Sequence, residues 1–232
     1  RHPNVPAWED EKHKAWQERR MEVYAAQVTI MDRVIGQVLE HLRKSGQLDD
    51  TLTLFTIDNG GCHVEYGANR KGDYLPEKTR DGRPMKPGNL THLMPGPEIT
   101  YQSYGYGWAN LSNTPYRLFK QYDHEGGIHT PMIAHWPKGI KGRGTTSATL
   151  SHLVDLMPTI LEATSVKPAE KSGGAKRIAW DGRSILPSLL GKKQPDPAVL
   201  FFHHARGKAI RTGNWKLVFN KDGKKKAKWE LY

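Results

Sequence analysis

A chain of 232 residues with 37% hydrophobic and 25% charged residues is long enough to bury a core, and its seven Trp and nine Tyr set it apart from a disordered composition. Its 35 Lys and Arg against 24 Asp and Glu give a formal net charge of +11, which favours polyanionic partners, yet no zinc-finger spacing, RNA-recognition signature or aromatic-basic repeat supports nucleic acid. The single cysteine, Cys62, excludes an internal disulfide framework, no stretch approaches the roughly 18 apolar residues that span a bilayer, and Arg1–Trp8 has no secretory-signal pattern.

From about Lys14 to Lys44 the positions Met21, Tyr24, Ala25, Val28, Met31, Ile35, Val38, Leu39 and Leu42 step by three or four, which predicts a long helix. Arg43 and Lys44 suit its C-terminal dipole, and Gly46 can supply a left-handed cap. Asp49-Asp50 then leads into Thr51–Ile57, a β-branched apolar run expected to be a buried parallel strand, so the opening reads as α/β. Residues 60–115 are rich in Gly, Pro, Tyr and Asn and show no sustained period; a loop of this length usually builds a site.

A short helix or turn is expected at Pro115–Tyr122 and a strand at Met132–Trp136. A second helix is expected over His152–Thr164, with Leu153, Leu156, Met157, Ile160 and Leu161 on one face and Pro158 near its first turn. Lys167–Lys176 reads as a linker or exposed loop. Val199–His203, Lys208–Arg211, Trp215–Phe219 and Trp229–Tyr232 read as the strands of a small antiparallel sheet, with Lys221–Lys228 as a solvated hairpin tip.

Two segments carry the chemistry. Asp58-Asn59-Gly60-Gly61 follows the first strand, where ligands of open α/β sheets bind; its carboxylate and amide oxygens suit a hard cation such as calcium or magnesium, although the same tetrapeptide also makes an ordinary turn. In Lys120-Gln-Tyr-Asp-His-Glu125-Gly126-Gly127, the lysine can hold an anionic ester oxygen and offset charge on a leaving oxygen. His124 and His129 could supply a donor or a proton, Glu125 could orient the lysine or the backbone, and Gly126 and Gly127 permit close approach.

These two segments resemble the sulfatase family, within the alkaline-phosphatase-like group of metal-dependent ester hydrolases. The resemblance continues in order through Pro6-Ala-Trp8, Arg19–Ala26, Met94–Glu98, Tyr101–Gly105, Trp108–Asn110, Ser112–Pro115, Ile133–Pro137, Asp155–Thr159, Asp181-Gly182, Ser184–Pro187 and Ile210–Val218, and is nearest to the bacterial arylsulfatase branch. It implies part of an alkaline-phosphatase-like mixed sheet flanked by helices plus a small C-terminal antiparallel subdomain. On that reading residues 1–166 are the later part of the catalytic domain, 167–198 a linker and 199–232 the subdomain.

The resemblance also implies Asp58 and Asn59 as ligands of Ca2+, with Mg2+ possible, and Lys120 as the sulfate contact. His124 is a further catalytic candidate, and His204 keeps a family histidine position at the substrate, although its acidic neighbour is here His203. A sulfate ester, possibly of a carbohydrate, is the implied partner, and a periplasmic or secreted location follows by resemblance alone. The family's formylglycine arises within a Cys/Ser-x-Pro/Ala-x-Arg segment, and none occurs here; Cys62 is followed by His63-Val64-Glu65-Tyr66. The chain is therefore expected to match the C-terminal half of such an enzyme and to be inactive alone. A phosphoester or phosphonate hydrolase of the same superfamily and a non-catalytic polyanion-binding fragment stand as alternatives.

Overall fold

The computed structural model describes residues 4–142, 144–172, 174–204, 207–220 and 228–232. After a single turn at Trp8–Asp10, α1 spans Lys14–Lys44, the bounds that its apolar period predicts. Gly46 closes it at φ 71°, with its nitrogen donating to the Arg43 carbonyl at 3.1 Å and the Gln47 nitrogen donating to that of Leu42 at 2.9 Å. The apolar stripe of α1 stays largely open to solvent at Val28, Met31 and Val38, and the helix is instead anchored by Trp16 and Arg20 near its start. Trp16 Nε1 donates to the Leu93 carbonyl at 2.9 Å. The buried Arg20 guanidinium donates to the Ser103 carbonyl at 2.5 Å and to Glu65 Oε2 at 2.9 Å, which ties the long loop to the helix.

Among the described residues strand β1 (Thr53–Thr56) has no parallel neighbour of the kind its apolar composition suggested. It pairs antiparallel with β4 (Met132–His135), Thr53 facing His135 and Thr56 facing Met132. An apolar run records cover on the two faces but not the direction of the neighbouring strand. Here all four β1 residues are half-buried and Ile133 of β4 is 62% exposed, so this face of the two-stranded unit is uncovered.

Between them the loop holds two short parallel strands, β2 (Lys86–Pro87) and β3 (Thr100–Tyr101), and a helix the sequence did not predict, α2 (Gly105–Ser112). Pro115–Tyr122 forms turns, entered through a cis Thr114–Pro115 peptide, and the one-turn helix α3 (Glu125–Ile128) leads into β4.

The second predicted helix is a 3-10 turn at Leu153–Asp155 continuing into α4 (Leu156–Thr164), with Pro158 in its first turn. Its most buried positions are polar. Asp155 accepts from the nitrogens of His152 and Arg183 at 2.8 Å each, and Thr159 Oγ1 accepts from the Ile185 nitrogen at 3.0 Å, which holds the 181–190 stretch against the helix. That stretch follows the small hairpin β5 (Lys171–Ser172) and β6 (Ala175–Lys176) and contains α5 (Leu186–Leu189).

The four expected C-terminal strands are present as β7 (Leu200–His204), β8 (Gly207–Thr212), β9 (Trp215–Asn220) and β10 (Lys228–Leu231). They pair antiparallel in the order β10-β9-β8-β7. The buried face carries Ala209, Lys216 and Val218, while the other presents Phe201, 73% exposed, with Ile210, Leu217 and Leu231 across from it. Residues 221–227 of the expected hairpin tip lie outside the described residues. Among the described residues no helix is long and apolar enough to cross a membrane.

Candidate active site

Strand β1 delivers Asp58 and Asn59 at its carboxyl end, and the chain turns at once through Gly60 and Gly61. The segment that carries Lys120 packs directly on this turn. The Gly60 nitrogen donates to the Gly127 carbonyl at 3.0 Å, and the Lys120 nitrogen donates to the Gly61 carbonyl at 3.1 Å. Backbones this close leave no room for side chains: a Cβ on Gly60 would lie 1.8 Å from the Gly126 oxygen, and one on Gly127 would lie 2.0 Å from the Tyr122 oxygen. Asn113, just past the end of α2, completes the joint by accepting from the Gly61 nitrogen at 3.0 Å and donating to the Ala109 carbonyl at 2.8 Å.

Two non-glycine residues near Lys120 occupy the left-handed region, Leu118 at φ 67° and Gln121 at φ 78°. Such conformations cost on the order of 1–3 kcal/mol each and persist where the surroundings impose them, which is common at ligand sites. Phe119, between them, is fully buried and stacks on His63 with ring centroids 4.3 Å apart.

Among the described residues no hydrogen bond or ion pair engages the exposed Asp58 carboxylate or the half-buried Lys120 ammonium. Asn59 Nδ2 donates to the Gly60 carbonyl at 2.9 Å, leaving Oδ1 as an acceptor. These two oxygens fit a hard divalent cation as part of a shell, since calcium takes about six to eight oxygen ligands, and the described residues contain no cluster of three His, Cys, Asp or Glu that would complete one. Cys62 is half-buried and free, beside the turn.

His124 and His129 are engaged with other groups. His124 is 5% exposed and wedged against the C-terminal sheet, its Nε2 3.3 Å from Glu230 Oε2 and its Nδ1 3.2 Å from Asn220 Nδ2. Burial pulls its pKa down, against the opposing pull of Glu230. Glu230 is bonded also by Arg117 and the Tyr232 hydroxyl; the bonds from Tyr232, His124 and Arg117 bring its carboxyl down to about 2. His129 stacks on Tyr116 and reaches Glu125 Oε2 at 2.8 Å. His204 is exposed at the end of β7 opposite Gly207, and among the described residues no hydrogen bond joins it to Asp58, Asn59 or Lys120.

Sequence reasoning missed Lys216 and Asn113. Lys216 is buried on β9 with its Nζ 2.5 Å from Glu125 Oε1. Burial raises the Glu125 pKa, but the Lys216 and His129 contacts outweigh it and leave the carboxyl below its usual range. Asn113 had a signal in its position, directly before Thr114-Pro115, where an asparagine can close a helix with its own side chain.

The model of the sulfatase family matches residues 2–166, a span that holds the Asp58 turn, Lys120 and α1 together. The chain belongs to the sulfatase family. This sulfatase chain is 31% identical over 226 residues to an uncharacterized sulfatase of Schizosaccharomyces pombe, covering 95% of itself and 39% of that protein. It is 32% identical over 149 residues to the arylsulfatase of Klebsiella aerogenes, covering 64% of itself and 30% of that enzyme. The sulfatase chain thus spans well under half the length of these relatives. Its fold matches the solved structure of BT4656 in complex with its substrate D-glucosamine-2-N,6-O-disulfate, with a TM-score of 0.55, 22% identity, and 90% of this chain against 33% of that one covered. That likeness places the described elements in the alkaline-phosphatase-like α/β fold.

Proposed function

We propose that this chain supplies the metal-binding and sulfate-recognising part of a sulfuric ester hydrolase, acting with polypeptide that provides the nucleophile. The reading is carried by one observation, the backbone bonding of Gly60 to Gly127 and of Lys120 to Gly61, which brings an acid-amide pair and an ammonium group onto one rigid joint. Asp58 and Asn59 would hold Ca2+, or Mg2+, through their oxygens. A cation bound there would act as a Lewis acid on a sulfate oxygen. Lys120 offers its charge to the sulfate and to the oxygen that departs. The nucleophile is formylglycine, generated outside these residues, so the 232 residues alone bind anions without turning them over.

The substrate class is a sulfated carbohydrate. The +11 charge draws such polyanions in, and the solved relative was captured with a disulfated glucosamine. An exported location, periplasmic or secreted, accompanies this reading.

The experiment replaces Asp58 and Lys120 separately by Ala in the protein that carries this chain and follows hydrolysis of a sulfate ester with and without calcium. Asp58→Ala should abolish the calcium-dependent rate, and Lys120→Ala should lower kcat by about 10²–10³. A wild-type rate indifferent to a chelator, or full activity in the Asp58 variant, would sink the assignment.

A further inference from the structure

The C-terminal sheet turns a charged residue inward. Lys216 lies 5% exposed beside Ala209 and Val218, with its Nζ 2.5 Å from Glu125 Oε1 and 5.4 Å from the centre of the Phe202 ring. The second Glu125 oxygen receives His129 Nδ1 at 2.8 Å and lies 4.0 Å from Arg211 Nη1. Burying an ammonium is costly, and an apolar pair of similar volume generally holds two elements together as well or better. A charged pair adds direction, because hydrogen-bonded oxygens and nitrogens fix distance and angle where apolar surfaces slide.

What this pair fixes is the start of α3. Glu125 is followed by Gly126, whose nitrogen donates to the Arg117 carbonyl at 2.9 Å, and by Gly127, whose carbonyl accepts from Gly60. A continuous chain of bonded groups therefore runs from Lys216 through Glu125 and the two glycines to the turn that bears Asp58 and Asn59. The left-handed Leu118 and Gln121 lie on the same segment, around Lys120, and need external support.

We propose that Lys216 is a positioning residue: acting through Glu125, it holds the Gly126-Gly127 turn against Gly60 and so sets Lys120 relative to Asp58. What Lys120 and Asp58 then do rests on the functional reading above; the mechanical coupling does not. The contacts of Glu230 with Arg117 and His124 bind the sheet to the same region independently, so loss of the Lys216 charge leaves the sheet docked and acts locally.

Hydrogen exchange on the chain, comparing wild type with Lys216→Met and Lys216→Arg, tests the coupling. Lys216→Met should accelerate exchange about tenfold in peptides covering 58–62 and 116–128 while leaving 20–40 in α1 unchanged, and Lys216→Arg should restore most of the protection. Unchanged exchange in 58–62 and 116–128 would overturn the proposal, as would uniform acceleration throughout, which marks a residue that merely stabilises the fold. In the protein that carries the chain, Lys216→Met should lower kcat for a sulfate ester about tenfold with a smaller change in KM. A wild-type protein that cleaves no sulfate ester defeats the functional reading and leaves the exchange pattern to decide the role of Lys216.

Discussion

A methyl group on Gly60 would sit 1.8 Å from the carbonyl oxygen of Gly126, so the turn after β1 and the start of α3 meet backbone to backbone. Gly36, in the middle of α1, has nothing within 4 Å of the same position. The two glycines therefore answer oppositely to the same substitution.

Gly60→Ala should destabilise the chain by about 1–3 kcal/mol, because the Gly60–Gly127 bond cannot form without displacing Gly126. Gly36→Ala should instead stabilise it by about 0.5–1 kcal/mol through helix propensity. Urea titrations of both variants measure the difference. Equal midpoints would show that the two backbones are not in contact.

His124 makes the docking of the C-terminal sheet sensitive to acid. Its folded pKa is depressed by burial below the unfolded value of about 6.5, so the unfolded state takes up the proton first and stability present above that pH is lost as pH falls through the folded value. A proton on Nδ1 would also face the Asn220 amide nitrogen, 3.2 Å away. Glu230, held down at about 2, contributes stability above its unfolded value of about 4.3, which is lost as pH falls toward 2. The thermal midpoint should fall as the pH is lowered from about 7 through the unfolded imidazole value of about 6.5, and His124→Gln should flatten that part of the curve. A wild-type midpoint that is level across this window would show that His124 does not titrate there.

Arg20 is the pin of the long loop. Arg20→Met keeps much of the packing over the Trp16 ring but removes the donors to the Ser103 carbonyl and to Glu65, leaving a buried acceptor unpaired. The expected loss is about 2–3 kcal/mol, together with faster proteolytic cutting within residues 66–100. Proteolysis at the wild-type rate would place the anchor elsewhere.

The sequence disclosed most where its pattern is long or strictly alternating. Helix α1 repeats its period over 31 residues, and its bounds agree with the reading from Met21, Tyr24 and the residues that follow. The C-terminal strands are separated by recognisable turns. Helix α2 escaped notice because Gly105-Tyr-Gly-Trp carries two poor helix formers and only eight residues in all. The direction of β1 was misread because Leu52, Leu54, Phe55 and Ile57 speak of burial and not of which strand lies alongside.

Lys216 was hidden for a different reason. In Trp215-Lys-Leu-Val-Phe the alternation assigns Trp215, Leu217 and Phe219 to the core and Lys216 to water, and the fold does the reverse, because the partner of Lys216 is a carboxylate 91 residues earlier. The joining of the Asp58 turn to the Lys120 segment likewise lies in long-range backbone bonds. In the sequence its trace is the presence of glycine at 60, 126 and 127.

The inverted alternation of β9 gives the chain a colloidal character of its own. Phe201, Leu217 and Leu231 form an oily face on a molecule whose formal charge is +11, which makes it a cationic amphiphile. At low ionic strength like-charge repulsion keeps such particles apart; as the screening length shrinks from about 30 Å at 0.01 M salt to about 10 Å at 0.1 M, that protection fades while the attraction between apolar faces remains. Dispersal in solution should then depend on salt, falling as the charge is screened.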